Sequence, residues 1–261
     1  MVALINVCKH STDSLEEVGL KELFEGITKL YFSFQDLSKQ YSLRLITILT
    51  RQWNDKKIEE YLIQIVRIIA MFISSCDSPK EMKLVTLNLE RISCFKKLLK
   101  IIAEDEKIQL LDSISSFISK HLEKEEYAAL IEQLLKFCKK LSKYSQSHKK
   151  ILDNRIDELG LRYISRGKYR EMSDAFSAEA NETKNLKMNL STAQNVMKMI
   201  KNIYEGSITQ EQKKEIQDKV KKHEEVISFA DKLHEKHANN DDIAITIVNI
   251  IICFNSINKQ M

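Results

Sequence analysis

The chain has 261 residues, of which 43% are hydrophobic and 30% charged, so its composition is that of a folded protein. Lys and Arg number 41 against 37 Asp and Glu, and this mild positive excess permits an acidic partner without requiring one. Only 5 glycines and 1 proline are present, too few for the turns of sandwiches, barrels and doubly wound sheets. The composition therefore predicts an all-α fold.

Helix signals recur from the N-terminus onward. Apolar residues repeat at spacings of three and four, the pattern of helices with one buried face. The strongest start signal is Ser78 followed by Pro79 and by Glu81, a capping serine with a first-turn proline and a capping-box glutamate. From these patterns we predict helices over residues 15–30, 36–53, 57–75, 79–103, 106–121, 124–144 and 148–165.

After residue 167 the hydrophobic pattern of the sequence changes. Residues 169–189 are polar and weakly periodic, and we predict a short helix with a loop there. The next predicted helix starts at Ser191 or Thr192 and ends at Gly206, where left-handed backbone would favour glycine. Thr209 and Gln212 form a second capping box, which opens a charged helix predicted to reach about residue 237.

The most hydrophobic stretch is IAITIVNIIICF, residues 243–254. It is apolar at both odd and even positions, which favours a helix over an alternating strand, although its many isoleucines keep a strand as an alternative. Twelve helical residues rise about 18 Å, less than a bilayer core requires, so we predict no transmembrane segment. Two alternatives remain: the central helix of a C-terminal bundle, or an apolar surface for a partner subunit.

An internal repeat is the most informative feature. Residues 63–74, IQIVRIIAMFIS, match residues 108–119, IQLLDSISSFIS, at an offset of 45 (63 to 108). Residues 94–100, CFKKLLK, also match residues 136–142, KFCKKLS, at an offset of 42 (94 to 136). Two helices per unit with this period resemble armadillo and HEAT repeats, whose units span roughly 40 to 47 residues.

The predicted fold is therefore an all-α, armadillo- or HEAT-like helical-repeat solenoid of about ten helices with a C-terminal helical bundle. Helix pairs with one apolar face must stack on neighbours to bury it. We predict a stacked helical-repeat region at 1–167, a polar connecting segment at 168–190, and a C-terminal helical region at 191–261 packed on the repeats.

No motif for catalysis or cofactor binding is present. Phosphate-loop, dinucleotide and nucleophile-elbow patterns are missing, and His234 with His237 lacks the further ligands of a metal site. Cys8 near His10 lacks an orienting acid. The 5 cysteines show no CxxC pairing, which favours buried thiols in a reducing, cytoplasmic setting. We see no signal-peptide pattern and expect no cofactor, no metal and, on balance, no enzyme.

Basic residues supply the candidate binding site. One group comprises Lys96, Lys97 and Lys100, and a second, in the apparently matching place one repeat later, comprises Lys136, Lys139, Lys140 and Lys143. If the repeats stack, the two groups would align into one positive strip. Four further cations lie at a predicted helix end: Arg162, Arg166, Lys168 and Arg170.

These features predict a protein-interaction scaffold or adaptor that binds another protein or peptide, possibly an acidic one. One alternative is a helical regulatory or effector domain that acts on a small GTPase or similar signalling protein. Another is nucleic-acid binding through the lysine strip, and an anionic membrane is a further candidate partner.

Overall fold

The structure, a computed structural model, describes residues 17–32, 36–75, 78–106, 108–174, 179–206, 208–226, 228, 230 and 240–258. Every regular element in these ranges is helical, which confirms the predicted all-α class. Two short 3₁₀ turns, Glu125–Tyr127 and Ser145–Ser147, accompany the α-helices. The α-helices are α1 (Glu17–Phe32), α2 (Asp36–Gln52), α3 (Asp55–Glu60), α4 (Leu62–Ser75), α5 (Pro79–Ser93), α6 (Lys96–Glu104), α7 (Leu110–His121), α8 (Ala128–Leu141), α9 (His148–Asp153), α10 (Ile156–Asp174), α11 (Glu179–Tyr204), α12 (Gln210–Lys221) and α13 (Asp241–Asn258).

The chain divides into two compact units, Met1–Leu130 and Ile131–Met261. This boundary falls near the start of α8, whereas the sequence placed its division at 167. The described parts of the predicted connecting segment 168–190 are helical, since α10 continues to Asp174 and α11 begins at Glu179. The segment is thus polar in composition but helical in structure.

Three predicted helices are each two helices in the structure. Tyr61 separates α3 from α4, Cys94 and Phe95 separate α5 from α6, and Asn154 and Arg155 separate α9 from α10. Arg155 adopts a φ of 53°, a conformation uncommon for residues other than glycine. Each break leaves a short helix before two longer ones, so each repeat contains three helices rather than the predicted two.

The structure confirms some of the predicted helix boundaries and places others at different residues. Ser78 Oγ accepts a hydrogen bond from Lys80 N at 3.3 Å, and α5 begins at the next residue. Thr209 and Gln212 make both bonds of the predicted capping box, at 3.0 and 3.2 Å. However, α12 ends at Lys221, where the chain turns, and does not continue to the predicted end near 237.

The predicted repeat at an offset of 45 relates two helices that pack together in the first unit, α4 and α7. Ile69 and its counterpart Ile114 are both fully buried. Ser74 Oγ donates a hydrogen bond to Ser113 Oγ at 2.9 Å, which links the two helices directly. The other matched pairs also share their environment: Phe72 with Phe117 and Ile73 with Ile118 are buried, and Gln64 with Gln109 are exposed.

The second match, at an offset of 42, does not relate equivalent helices. Residues 94–100 contain the start of α6, the short first helix of a three-helix repeat. Residues 136–142 contain the end of α8, the third helix of the same three-helix repeat. The similarity of these two segments therefore arises from two unrelated amphipathic patterns rather than from repetition.

Within the first unit, the third helices of successive three-helix repeats, α2 and α5, also pack on one another. Asn88 Nδ2 donates to Thr47 Oγ1 at 2.9 Å, and Thr50 Oγ1 donates to Asn88 Oδ1 at 2.9 Å. Arg91 Nε donates to the carbonyl oxygen of Thr50 at 2.9 Å near the end of α2. Buried polar side chains are thus paired between the helices, as low-dielectric surroundings require.

In the second unit, α11 is the central helix and packs against α10, α12 and α13. Gln217 Nε2 on α12 donates to Tyr204 Oη and to the carbonyl oxygen of Ile257, each at 2.9 Å, and so joins three helices. Lys219 Nζ lies 3.0 Å from Asp157 Oδ2 and ties α12 to the first turn of α10. The unit is consequently held by side-chain hydrogen bonds and an ion pair as well as by apolar packing.

The hydrophobic stretch near the C-terminus is helical, as predicted, but α13 is longer than the stretch itself. Its 18 residues rise about 27 Å, so length and composition alone would let this one helix of the described chain cross a membrane. One of its faces is buried against the protein, and at its start Asn240 Oδ1 accepts a hydrogen bond from the N–H of Ile243 at 3.4 Å. The buried side chains are Ile243, Ile247, Ile250, Cys253, Phe254 and Ile257.

Candidate functional site

The predicted site lysines fall in different units and on different kinds of helix. Lys96, Lys97 and Lys100 lie on α6 in the first unit, whereas the second group lies on α8 and in the turn after it, in the second unit. The two groups do not occupy matching places in their repeats. Equivalent positions in successive repeats were the argument for one continuous positive strip, and that argument no longer applies. The strip itself stays a prediction.

The lysines of the first unit have acidic neighbours. Lys97 Nζ lies 2.6 Å from Glu59 Oε2, and Lys100 Nζ lies 3.8 Å from Glu104 Oε1. Lys97 and Lys100 are largely exposed, so these ion pairs contribute little to stability. They do offset the positive charge of this group, which makes it a weak attractor for an acidic ligand.

The lysines of the second unit form a cluster of like charge around Lys139. Burial lowers the pKa of the half-buried Lys139 ammonium, and four neighbouring lysines lower it further: Lys198, Lys143, Lys140 and Lys136. Within the part of the chain that the structure describes, Lys136, Lys139 and Lys143 form no ion pair with a carboxylate. We use the name lysine cluster for five residues: Lys136, Lys139, Lys140, Lys143 and Lys198.

A hydrogen-bond network holds the two sides of the lysine cluster together. Asn202 Nδ2 on α11 donates to Ser142 Oγ at 2.9 Å, and Ser142 Oγ donates to the carbonyl oxygen of Lys139 at 2.9 Å. His148 Nε2 lies 2.8 Å from the carbonyl oxygen of Ser142. Because Lys198 and Asn202 are four residues apart on α11, this network sets Lys198 beside the end of α8.

Gly206 makes room for this network. A Cβ at this position would collide with the ring of His148. The described glycines include none with positive φ, so the predicted left-handed role of Gly206 is wrong. Space for a neighbouring imidazole, rather than backbone freedom, favours glycine here.

Sequence reasoning missed Lys198, the largest charged contributor at Lys139. In the sequence, Lys198 is one polar position among the apolar residues of an amphipathic helix. Lys198 and Lys201 are spaced by three and share a face of α11, which is the one signal that could have drawn attention to them. Lys201 differs from Lys198 in that its Nζ lies 3.6 Å from Glu205 Oε1.

The remaining predicted cations lie on another helix, α10. Arg162 is exposed and Arg166 half-buried. Since α10 continues to Asp174, these residues occupy the middle of a helix and not its predicted end. Lys168 and Arg170 belong to the same helix, and their side chains lie outside what the structure describes. The predicted binding role of these four residues stays a prediction.

An exposed apolar stripe lies on α13, opposite its buried face. Ile245, Val248 and Ile252 are exposed by 60%, 42% and 50%, although isoleucine and valine are usually buried. Burial raises the pKa of the Cys253 thiol on the buried face of α13, and the positive charges of Lys201 and Lys198 act in the opposite direction. We call Ile245, Val248 and Ile252 the apolar stripe.

Among the described residues, histidines, cysteines and carboxylates form no group of three or more that could hold a metal ion. His223 Nδ1 lies 2.5 Å from Ser165 Oγ, and burial lowers the pKa of this imidazole. Cys138 is buried as predicted, but Cys94 is exposed. Four other residues considered in the sequence lie outside the described ranges: Cys8, His10, His234 and His237.

The packing of third helices on third helices and of second helices on second helices defines an armadillo-like helical repeat. No protein-family model matches the chain, and no curated protein matches it. Among solved structures, the chain is similar to a designed armadillo repeat protein, with a TM-score of 0.54, 11% identity, and coverage of 97% of this chain and 91% of that one. The chain therefore has an all-α helical-repeat solenoid fold, as predicted.

Proposed function

We propose that this protein is an interaction scaffold, and that its lysine cluster binds an acidic segment of a partner protein. The observation that carries the proposal is the crowding of four lysines around the half-buried Lys139. Like charges in such proximity oppose folding, and an acidic ligand would relieve their repulsion. The armadillo-like fold supports a scaffold, since such repeats offer extended surfaces to other proteins.

A protein partner is favoured over a nucleic acid by the surroundings of the cluster. The chain carries 37 acidic residues against 41 basic ones, so the positive field is local rather than general. Nucleic-acid sites usually spread many cations along a backbone, often with aromatic side chains for stacking. The lysine cluster comprises five cations on α8, on the turn after it and on α11, which suits a short run of carboxylates.

The test compares two triple charge reversals. One variant carries Lys136→Glu, Lys139→Glu and Lys143→Glu; the control carries Lys96→Glu, Lys97→Glu and Lys100→Glu and has the same net charge. Fluorescence anisotropy with a labelled decaglutamate peptide should show affinity reduced about tenfold or more for the first variant and about twofold at most for the control. Equal losses would overturn the proposal.

A second measurement separates the partner classes. A decauridylate of matched length competes with labelled decaglutamate for the wild-type protein. We expect displacement only at RNA concentrations well above those of unlabelled decaglutamate. Preferential RNA binding that is lost in the Lys136, Lys139 and Lys143 variant would assign the cluster to nucleic acid and contradict the proposal.

A further inference from the structure

Two contacts, one near each end of the lysine cluster, fix α11 relative to α8. At the first, a Cβ added at Gly160 of α10 would lie 3.0 Å from Val196 Cγ1 and 3.5 Å from Leu135 Cδ2. At the second, Asn202 Nδ2 donates to Ser142 Oγ at 2.9 Å. The residue numbers of both helices increase from the first contact to the second, so α11 runs alongside α8 in the same direction.

This alignment places lysines of the two helices next to one another. On α11, Lys198 lies between the two contact residues, Val196 and Asn202. Lys139 likewise lies between the two contact residues contributed by α8 and the turn after it. The backbone geometry therefore brings Lys198 to the same level as Lys139, although the two residues are far apart in the sequence.

The lysines of the cluster differ in exposure. Lys139 and Lys198 are half-buried. Lys136, three residues before Lys139, and Lys143, in the turn after α8, are exposed. Because neighbouring turns of a helix adjoin, these exposed ammonium groups flank the inner one. The cluster thus consists of an inner amine with outer cations around it.

An amine in such surroundings reacts more readily near neutral pH than an ordinary lysine. Only the neutral amine carries the lone pair that attacks a carbonyl carbon, and burial and neighbouring cations favour this form. Burial lowers the pKa of Lys139, and the charges of Lys198 and of the other three lysines lower it further. Within the described part of the chain, Lys139 has no ion pair that would favour its charged form.

We infer that Lys139 is a modification site, at which the inner amine takes an acyl group from an acyl phosphate. The nitrogen attacks the carbonyl carbon and forms an amide bond. The bond between this carbon and the phosphate oxygen breaks, and phosphate leaves with the bonding electron pair. The proton released from the nitrogen passes to phosphate or water, so the reaction needs no other reactant.

The outer lysines favour an acyl phosphate over an uncharged acyl donor. Its phosphate group is doubly negative, and the exposed ammonium groups of Lys136 and Lys143 attract it to the site. The same charges stabilise the phosphate as it leaves. The inner and outer lysines thus have different parts in the reaction, since one attacks the donor and the others hold it.

This inference goes beyond the proposed function, because the reaction needs no acidic partner. Acylation converts the ammonium group of Lys139 into a neutral amide and so removes one positive charge from the cluster. If the cluster also binds an acidic segment, acylation should weaken that binding, and the bound segment should shield Lys139. Modification of this one amine would then regulate the scaffold.

The test is acetylation of the full chain by acetyl phosphate, with the initial rate at each lysine measured by peptide mass spectrometry. Lys83 on α5 is the internal control, because it is exposed and has no ion pair within the described chain. Near neutral pH and at low salt, we expect Lys139 to react about tenfold faster than Lys83. A rate at Lys139 equal to or below that at Lys83 would overturn the inference.

Two double variants test the part of the outer lysines. One carries Lys136→Gln and Lys143→Gln; its control, in the first unit, carries Lys96→Gln and Lys100→Gln. The acetyl phosphate rate at Lys139 should fall about fivefold or more in the first variant and stay within about twofold in the control. Equal losses in the two variants would contradict the inference.

Phenyl acetate, an uncharged donor, separates attraction of the donor from reactivity of the amine. Its rate at Lys139 should fall less than the acetyl phosphate rate when Lys136 and Lys143 are replaced, because the ammonium groups do not attract it. Equal losses with the two donors would overturn the assignment of an acyl phosphate. Circular dichroism and the thermal midpoint verify that each variant is folded.

A last comparison distinguishes this inference from the proposed function. Fast acetylation of Lys139 in a protein that does not bind decaglutamate would support the inference and overturn the proposed function. Decaglutamate binding with slow acetylation of Lys139 would do the opposite. Where both hold, saturating decaglutamate should slow acetylation of Lys139 about fivefold or more and leave Lys83 unchanged.

Discussion

Asn202 Nδ2 donates a hydrogen bond to Ser142 Oγ across 2.9 Å, and this contact fixes α11 beside the end of α8. The same register brings Lys198 next to Lys139. A specific, partly buried polar contact thus maintains an arrangement of like charges whose mutual repulsion would separate them. Such an arrangement of like charges lowers the stability of the folded protein.

Lys139→Met should stabilise the protein. Removing the central charge relieves repulsion from four lysines, and methionine keeps the apolar stem, so we expect the free energy of unfolding to rise by about 0.5 kcal/mol. Lys97→Met is the matched control, because it removes an ion pair with Glu59 and should leave stability unchanged or slightly lower. Urea denaturation measures both. Destabilisation by Lys139→Met would show that the cluster is not repulsive.

Gly206→Ala should destabilise the second unit. The added methyl group collides with the ring of His148, which must move and weaken its hydrogen bond to the Ser142 carbonyl. Overpacking of this kind costs about 1–3 kcal/mol. Gly26→Ala in α1 is the control, since no atom beyond its chain neighbours and its own helix backbone lies within 4 Å of its added Cβ, and alanine should stabilise that helix by up to about 1 kcal/mol. Equal effects in thermal denaturation would refute the packing role of Gly206.

Lys219→Met should be strongly destabilising. Asp157 is 2% exposed and Lys219 18%, so the variant leaves a buried carboxylate without its cation, at a cost of about 3 kcal/mol. Burial opposes the charge of Lys219, but its hydrogen bonds to Glu215 and Asp157 outweigh this and raise its pKa. The double variant Asp157→Leu with Lys219→Met should recover most of the loss in urea denaturation. No recovery would mean that the pair does more than compensate charge.

Glu132 should make stability depend on pH near neutrality. Burial raises the pKa of its carboxyl to about 7, although a hydrogen bond from Tyr163 Oη at 3.3 Å acts in the opposite direction. The folded state therefore holds a proton that the unfolded state releases at about pH 4.3. The resulting stabilisation is complete below that pH and is lost as pH rises through about 7.

Glu132→Gln is the matching variant, because glutamine keeps an acceptor for Tyr163 and does not titrate. Denaturation at a series of pH values should show the fall in stability between about pH 5 and 8 in the wild type and a smaller fall in the variant. Identical pH profiles would place the pKa of Glu132 in its ordinary range.

The sequence predicted those parts of the fold that depend on helical periodicity and side-chain caps. The match of residues 63–74 with 108–119 correctly paired α4 with α7, because burial of an apolar face imposes the same pattern on both helices. Thr209 and Gln212 marked a helix start because capping is a local interaction.

The helix breaks were not predictable in the same way. The chain turns at Tyr61, at Cys94 and Phe95, and at Asn154 and Arg155, none of which is a glycine or proline. At the second of these turns the Arg91 guanidinium lies 4.4 Å from the centre of the Phe95 ring, a contact between residues four apart across the end of α5. Without a glycine or proline, the hydrophobic pattern runs on through each turn, so periodicity alone predicted one long helix.

The candidate site was predicted in part. Four lysines of the cluster were identified from their density along the chain, but Lys198 lies 59 residues after Lys139 (198 − 139) and reaches it only through folding. The lysines at 96, 97 and 100 looked equivalent in sequence, yet their acidic neighbours become visible only in three dimensions. Charge compensation is a tertiary property that lysine density alone cannot reveal.

The most direct test of the proposed function is the titration of Lys139 by NMR, with labelled lysine side chains, in the absence and presence of decaglutamate. In the free protein we expect the pKa of Lys139 to lie below that of the exposed lysines, because burial and four like charges disfavour its charged form. Bound carboxylates should raise this pKa, while Lys97 on α6 should change little. A pKa of Lys139 that is unaltered by saturating decaglutamate would contradict the proposal that this cluster receives an acidic partner.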